Sequence, residues 1–138
     1  MGGEKRILIA AADHDFITRL AFFLEDEGYE TVVAWGGREA IEQLRSSQFD
    51  TVLVGEYLPD VDPKEFWQTV RGLSIKPTMV LLEVGQHNPE MVRMFSEAEG
   101  NCIVRGSSAY LIFESVYECL TSKKARACAA KETAAGRA

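Results

Sequence analysis

Short apolar runs alternate with segments of helical period along most of the chain. The first run, 7–11, is continuously apolar, which is typical of a strand that is covered on both faces of a sheet. Four further runs of strand length are found at 31–35, 51–54, 78–82 and 102–104. After each run, apolar residues recur every three or four positions, and this spacing predicts a helix.

Capping residues mark where the predicted helices begin and end. Either Asp13 or Asp15 could cap the first helix, and Gly28 is placed where that helix would end. Asn88, which precedes a proline, is a strong start signal for the fourth helix, and that helix is predicted to stop near Gly100. The remaining helices are predicted after Gly36-Gly37, over 64–71 and over 107–120.

Five strands, each followed by a helix, predict an α/β fold. The expected architecture is one open, doubly wound parallel sheet with helices on both of its faces. Reactive groups and ligands in such sheets lie at the carboxyl ends of the strands. The residues that end or follow the predicted strands, and hence the candidate site, are 11–13, 55–56, 82–83 and 105–106.

The composition fits a single globular domain. Of the 138 residues, 46% are hydrophobic and 26% are charged, and no apolar run approaches the roughly 20 residues that span a bilayer. The formal net charge of −6 argues against direct binding to nucleic acid, because phosphate backbones are held by clustered Lys and Arg. We therefore expect neither a nucleic acid nor a membrane as a partner.

The three cysteines favour a reducing compartment. Cys102, Cys119 and Cys128 show no CxxC spacing and no histidine at metal-ligand spacing, so neither a disulfide framework nor structural zinc is expected. The amino-terminal residues also lack the cleavage site of a signal peptide. These features predict a cytoplasmic protein.

The carboxyl-terminal tail differs in charge from the rest of the chain. Residues 121–138 contain five basic residues and one acidic residue, a balance of +4, which leaves −10 for the preceding part. The tail is rich in alanine and lacks bulky apolar residues. We divide the chain into a domain over 1–122 and a basic tail over 123–138, which we expect to be a linker or disordered.

Five stretches of the sequence together resemble the receiver domain of two-component response regulators. They are Lys5-Arg6-Ile7-Leu8-Ile9, Glu25-Asp26-Glu27-Gly28-Tyr29-Glu30, Gly37-Arg38-Glu39-Ala40, Phe49-Asp50 and Leu58-Pro59-Asp60. The resemblance extends from the first strand to about Leu120. It implies a flavodoxin-like fold, a bacterial protein and a role in two-component signal transduction.

The resemblance also implies which positions would carry receiver chemistry, and these positions depart from the receiver pattern. In receivers an aspartate accepts a phosphoryl group, neighbouring acids hold Mg²⁺, and a hydroxyl and a lysine contact the phosphoryl oxygens. The matching positions are Ala11, Ala12 and Asp13 for the metal-binding acids, Gly55 for the phosphoacceptor, Leu82 for the hydroxyl, Cys102 for the aromatic switch residue and Arg105 for the lysine.

These departures predict a degenerate receiver, or pseudo-receiver, with no catalytic residue, no metal site, no cofactor and no enzymatic activity. We expect Leu82 to fill the space left by the lost polar side chains. The expected partner is a protein or an effector domain. Receivers commonly form homodimers through the fourth helix, fifth strand and fifth helix, and Tyr110, Phe113 and Tyr117 are candidates for reaching that surface.

Other modes of action stay open at this point. A small ligand or a redox change at Cys102 could drive a switch in place of the phosphoryl group. Another acid could accept a phosphoryl group, and the candidates are Glu56, Asp60, Asp62 and Asp13.

Two further hypotheses concern histidine and arginine side chains. An enzyme could use His14 or His87 as an acid–base catalyst, although no nucleophile or partner acid is assembled beside either histidine in the sequence. Arg105 could bind an anion, or it could pair with Asp13 or Glu83.

Overall fold

The computed structural model describes residues 5–55, 57–83, 89–96, 102–105 and 109–121. These residues form five strands that alternate with five helices. The strands are β1 (Arg6–Ala10), β2 (Glu30–Ala34), β3 (Thr51–Gly55), β4 (Thr78–Glu83) and β5 (Cys102–Arg105). The helices are α1 (His14–Asp26), α2 (Gly37–Ser46), α3 (Pro63–Arg71), α4 (Pro89–Ser96) and α5 (Ala109–Thr121).

All five strands lie parallel in one sheet, in the order β2-β1-β3-β4-β5. In the register of this sheet, Ala10 is opposite Ala34 on one side and Val54 on the other. Gly55 is opposite Leu82, which brings the ends of β1, β3 and β4 together at the carboxyl edge of the sheet. The predicted α/β, flavodoxin-like fold is confirmed.

Apolar side chains cover both faces of the sheet because successive residues of a strand point to opposite sides. On one face, Ile7, Ile9 and Leu53 pack with the buried sides of α1 and α5. On the other face, Leu8 and Val52 pack with α2, α3 and α4. The predicted continuous apolar strands are therefore explained by helices on both faces.

Several element boundaries differ from the prediction by one or two residues. β1 ends at Ala10, so Ala11 belongs to the loop, and β2 ends at Ala34, so Trp35 also lies beyond its strand. Hydrogen bonding explains the second difference, because the Trp35 backbone N–H donates to Glu39 Oε1 of α2 (3.0 Å) rather than to a neighbouring strand. The predicted cap Asn88 and the predicted helix end near Gly100 lie outside the described residues.

The basic tail over 123–138 also lies outside the described residues, and the proposed domain division stays a prediction. α5 is described as far as Thr121. Among the helices that the structure describes, none combines the length and the apolar character needed to cross a membrane.

Candidate functional site

The ends of β1 and β3 approach each other closely at Gly55, the position that the receiver resemblance implies for a phosphoacceptor. A Cβ atom placed on Gly55 would lie 3.0 Å from the Ala11 Cβ and 3.5 Å from the Ala11 Cα, whereas ordinary van der Waals contact begins at 3.4 Å. Both residues are buried. Any side chain at position 55 therefore requires Ala11 to move.

Leu82 closes the same region from the side of β4. Its side chain is fully buried, and it belongs to the apolar cluster that contains Ala11, Leu53 and Val104. The receiver resemblance implies a threonine or serine hydroxyl at this position, but a leucine side chain offers only carbon atoms. The carboxyl edge of the sheet is thus lined by apolar groups at positions 11, 55 and 82.

The two remaining positions on the β1–α1 loop do not rebuild an acidic pair. Ala12 is exposed and has no polar side chain. Asp13 is the N-cap of α1, because its Oδ1 accepts a hydrogen bond from the Phe16 backbone N–H at 3.1 Å. The structure therefore decides between the two predicted caps in favour of Asp13, and Asp15 lies in the first turn of the helix.

Asp60 stabilises the start of α2 from a distant loop. Its Oδ1 accepts a hydrogen bond from the Gly37 N–H (2.8 Å), and its Oδ2 accepts one from the Arg38 N–H (3.1 Å). Both bonds lower the pKa of the Asp60 carboxyl below its ordinary value, and the bond from Arg38 has the larger effect. Gly36 is the residue at the N-cap position of α2 and supplies no side-chain acceptor, so Asp60 takes that role.

Gly36 at the N-cap and Gly37 at the first position of α2 allow the loop that carries Asp60 to approach. A Cβ on Gly36 would lie 2.9 Å from Asp60 Oδ2, and a Cβ on Gly37 would overlap the Val61 side chain. In the sequence, Gly36-Gly37 indicates only a helix boundary. The absence of a Ser, Thr, Asp or Asn at the N-cap was the signal that a cap must come from elsewhere.

Asp62 caps α3 in the same way that Asp13 caps α1. Its Oδ1 accepts a hydrogen bond from the Lys64 backbone N–H at 2.9 Å, and Pro63 follows at the first helical position. Three of the four candidate substitute phosphoacceptors, Asp13, Asp60 and Asp62, therefore each accept backbone hydrogen bonds at the start of a helix. The fourth, Glu56, lies outside the described residues.

The far side of the candidate site is described only in part. Glu83 at the end of β4 is opposite Arg105 of β5 in the sheet register, and Cys102 is opposite Val80. The side chains of Arg105 and Cys102 lie outside what the structure describes, so anion binding, the ion pairs of Arg105 and the redox alternative at Cys102 stay predictions. Among the described residues, no group of three or more His, Cys, Asp or Glu side chains could hold a metal ion.

His14 is held by a neighbouring loop at this edge of the sheet. Its Nε2 lies 3.1 Å from the Trp35 carbonyl oxygen, within hydrogen-bonding distance, and the two rings meet edge to face with centroids 4.6 Å apart. This arrangement gives His14 a structural partner. His87 lies outside the described residues.

The aromatic residues of α5 that are described face α1. The ring of Phe113 stacks on that of Phe23 with centroids 5.4 Å apart, and Tyr117 contacts the same Phe23 ring edge to face at 6.3 Å. Phe113 and Tyr117 thus contribute to the contact between α1 and α5, and their role in a dimer surface stays a prediction. The side chain of Tyr110 lies outside the described residues.

A cavity of about 310 Å³ lies at the opposite, amino-terminal edge of the sheet. It is lined by the end of α2, the α2–β3 loop and the α3–β4 loop, and the lining residues are 44–49, 73–75 and 77. Parallel α/β sheets place their ligands at the other edge. The cavity is therefore separate from the candidate site.

The sequence is similar to parts of two known signalling proteins. No protein-family model matches the chain. The sequence is 34% identical over 68 residues to the CAI-1 autoinducer sensor kinase/phosphatase CqsS of Vibrio cholerae, a match that covers 49% of this chain and 10% of that protein. It is 24% identical over 94 residues to the transcriptional regulatory protein CrdR of Helicobacter pylori, covering 67% of this chain and 44% of that protein.

The structural similarity extends over most of the chain. A response regulator receiver domain protein (CheY-like) from Methanospirillum hungatei superposes with a TM-score of 0.71 at 23% identity, covering 86% of this chain and 94% of that chain. The chain spans less than half the length of the curated relatives above, whereas it matches nearly the whole of this solved domain. The chain has the fold of response-regulator receiver domains.

Proposed function

We propose that the chain is a pseudo-receiver that acts in signal transduction through contacts with a protein partner or an effector domain, without aspartyl phosphorylation. The observation that carries this proposal is the contact between the ends of β1 and β3. Ala11 limits the space that a phosphoacceptor side chain would need at position 55. A Cβ atom placed on Gly55 would lie 3.0 Å from the Ala11 Cβ.

The chemistry of phosphoryl transfer supports the same conclusion. The transferred group carries negative charge, and the reaction depends on a divalent cation and on positioned donors that stabilise this charge. Magnesium is held by carboxylate oxygens, and Ala11 and Ala12 supply none. Leu82 adds a fully buried apolar side chain where a hydroxyl donor would be needed.

The nearby acids are poor substitutes because they are already used by the fold. Asp60 holds two backbone N–H groups at the start of α2, and both of its carboxylate oxygens are engaged. Transfer of a phosphoryl group to either oxygen would remove one of these hydrogen bonds. Asp13 and Asp62 each hold one backbone N–H at the start of a helix.

The names of the two curated relatives support a signalling role. One is a sensor kinase/phosphatase and the other is a transcriptional regulatory protein, and the chain matches only a part of each. We propose that this chain likewise serves as the receiver-like part of a signalling pathway in the cytoplasm, a reducing compartment that suits three cysteines without the spacing of a disulfide framework. Its output is then the binding of another protein.

A phosphoryl analogue tests the proposal. The full chain is incubated with Mg²⁺ and beryllofluoride, and its melting temperature and its amide NMR spectrum are compared with those in Mg²⁺ alone. We expect no change, because Ala11 and Ala12 supply no carboxylate for the metal and the nearby acids that the structure describes, Asp13, Asp60 and Asp62, already accept backbone hydrogen bonds. A saturable rise in melting temperature with shifts clustered around positions 11, 55 and 82 would overturn the proposal.

Two variants would locate the acceptor if such a rise were seen. Asp13→Asn and Asp60→Asn each remove one candidate carboxylate while keeping an oxygen that can accept a backbone hydrogen bond. Loss of the response in one of them would identify that residue as a substitute phosphoacceptor. The chain would then be a phosphorylated receiver with a displaced site.

A further inference from the structure

One side of α1 carries an exposed line of three charged residues and one aromatic residue. Asp15, Arg19, Phe22 and Asp26 are spaced by four, three and four positions, so they lie on one face of the helix. All four are exposed. Phe22 is 68% exposed, more than any other large hydrophobic side chain that the structure describes.

A single exposed aromatic residue is common on protein surfaces and carries no inference alone. The charged residues around Phe22 indicate which partner this surface would bind. A second α1 helix, placed antiparallel about a two-fold axis between Phe22 and Phe23, would oppose Arg19 of one protomer to Asp26 of the partner subunit. The symmetry repeats this pair, so the face is complementary to itself.

Two acids near this face, Glu25 and Glu30, already have partners within the protomer. Glu25 accepts a hydrogen bond from the Thr31 hydroxyl, and Glu30 forms an ion pair with Arg6 at 3.3 Å. These acids are therefore not needed to balance the face. Asp26, in contrast, lies at the end of the line on α1, one turn beyond Phe22.

Arg19 forms an ion pair within α1, but its guanidinium group is exposed enough to bind a second carboxylate on another subunit. Arg19 Nη2 lies 3.2 Å from Asp15 Oδ2, and both side chains are largely exposed, at 64% and 76%. A guanidinium group carries several N–H donors in a planar fork, so it can hold Asp15 of its own helix and a second carboxylate across an interface.

We propose that this face of α1, made of Asp15, Arg19, Phe22 and Asp26, is a self-association surface that takes a second copy of the chain. In the dimer the two α1 helices pack antiparallel, the two Phe22 side chains exclude water near the axis, and Arg19 pairs with Asp26 of the partner subunit. This surface differs from the one formed by α4, β5 and α5, and the proposal is independent of whether the chain is phosphorylated.

The expected dimer is weak and reversible. One pair of crossing helices buries an area at the low end of specific interfaces, and Phe22 is its central apolar contact. The association of the full chain is therefore measured by sedimentation equilibrium over a wide concentration range. A chain that remains monomeric at millimolar concentration would overturn the proposal.

A matched pair of substitutions separates the two candidate surfaces. Phe22→Ser should raise the dimer dissociation constant by about tenfold or more, as expected when a central apolar side chain is lost from an interface. The control is Leu111→Ser on α5, where the side chain is 46% exposed. Leu111 lies on the opposite side of α5 from Phe113, which contacts α1.

Leu111→Ser should leave the dimer unchanged if α1 is the interface. If instead Leu111→Ser weakens the dimer and Phe22→Ser does not, α5 is the interface and the proposal is wrong. Circular dichroism of both variants would show that each remains folded.

Charge reversal gives a second, independent test. Arg19→Asp opposes two acids in the dimer, and Asp26→Arg opposes two bases, so each variant alone should be monomeric. When the two variants are mixed, every cross-subunit pair is again of opposite sign, and a heterodimer should form. Two single variants that dimerise like the wild type, or a mixture that stays monomeric, would contradict the proposed pairing.

Discussion

Gly55 at the end of β3 lies close to Ala11, which follows β1, so that a side chain at position 55 would require Ala11 to shift. A Cβ on Gly55 would come within 3.0 Å of the Ala11 Cβ. In a receiver that accepts phosphate, both positions would carry acids. The close contact is possible because both positions carry small residues where the receiver resemblance implies acids.

The first prediction concerns this contact. Gly55→Ala should destabilise the protein by about 1 kcal/mol, because the strain of overpacking outweighs the smaller gain from restricting the unfolded chain. Ala11→Gly in the same background should recover part of that loss. Urea unfolding of the wild type, the two single variants and the double variant measures the coupling between the two positions.

The coupling has a definite sign. The double variant should be more stable than the sum of the two single effects predicts, since Ala11→Gly removes the methyl group that Gly55→Ala would meet. If Gly55→Ala stabilises the protein, or if the two effects simply add, then β1 and β3 are not tightly packed at this point.

The second prediction concerns Leu82. Leu82→Ala should cost about 2–5 kcal/mol, the usual range for a leucine that is removed from a packed core. Its side chain is fully buried beside Ala11 and Val104. Leu111→Ala, on the exposed surface of α5, is the matched control and should cost far less. A small loss at Leu82 would mean that the edge of the sheet is open enough to hold water or a ligand.

The third prediction concerns the pH dependence contributed by Asp60. The pKa of its carboxyl is lowered in the folded protein by the N–H groups of Arg38 and Gly37. A lowered pKa means that the stabilisation is fully present above the unfolded value, near 3.8, and is lost as the pH falls through the folded value. Acidification should therefore weaken the wild type partly through Asp60.

Asp60→Ala should lower stability near neutral pH by about 1 kcal/mol, the ordinary cost of losing a helix cap. The variant should also lose less stability than the wild type when the pH is lowered from 6 to 3. Unfolding in urea across this range measures both effects. Asp15→Ala, which changes an exposed acid in the first turn of α1, should follow the pH profile of the wild type. Identical profiles for Asp60→Ala and the wild type would argue against the cap.

Most of the fold could be predicted from the periodicity of apolar residues. Strands that are buried on both faces read as continuous runs, and the predicted parallel sheet followed from the alternation of these runs with helices. The ends of elements were less predictable. Trp35 looked like part of β2, but its backbone N–H bonds to Glu39 of the following helix.

The candidate site was predictable in its composition but not in its geometry. The sequence showed that Gly55, Ala11 and Leu82 lack the groups for phosphorylation. How closely β1 and β3 approach depends on the packing of the whole sheet, which no local pattern records. The capping of α2 by Asp60 escaped the sequence analysis for a similar reason, because the partners Gly37 and Asp60 are 23 positions apart.

The fourth prediction concerns repair of the acceptor. Gly55→Asp alone should not restore phosphorylation, because Ala11 and Ala12 still supply no carboxylate for Mg²⁺. The new side chain should also destabilise the protein by displacing Ala11. The measurement is the intact mass of this variant after incubation with Mg²⁺ and acetyl phosphate. Robust labelling of this single variant would show that the metal is held by groups other than those at positions 11 and 12.

The most direct test of the central claim is the intact mass of the wild-type chain after incubation with Mg²⁺ and acetyl phosphate. The proposal that the chain is a pseudo-receiver predicts one species with the mass of the unmodified protein at every time point. A second species heavier by one phosphoryl group, formed only when Mg²⁺ is present, would contradict the account.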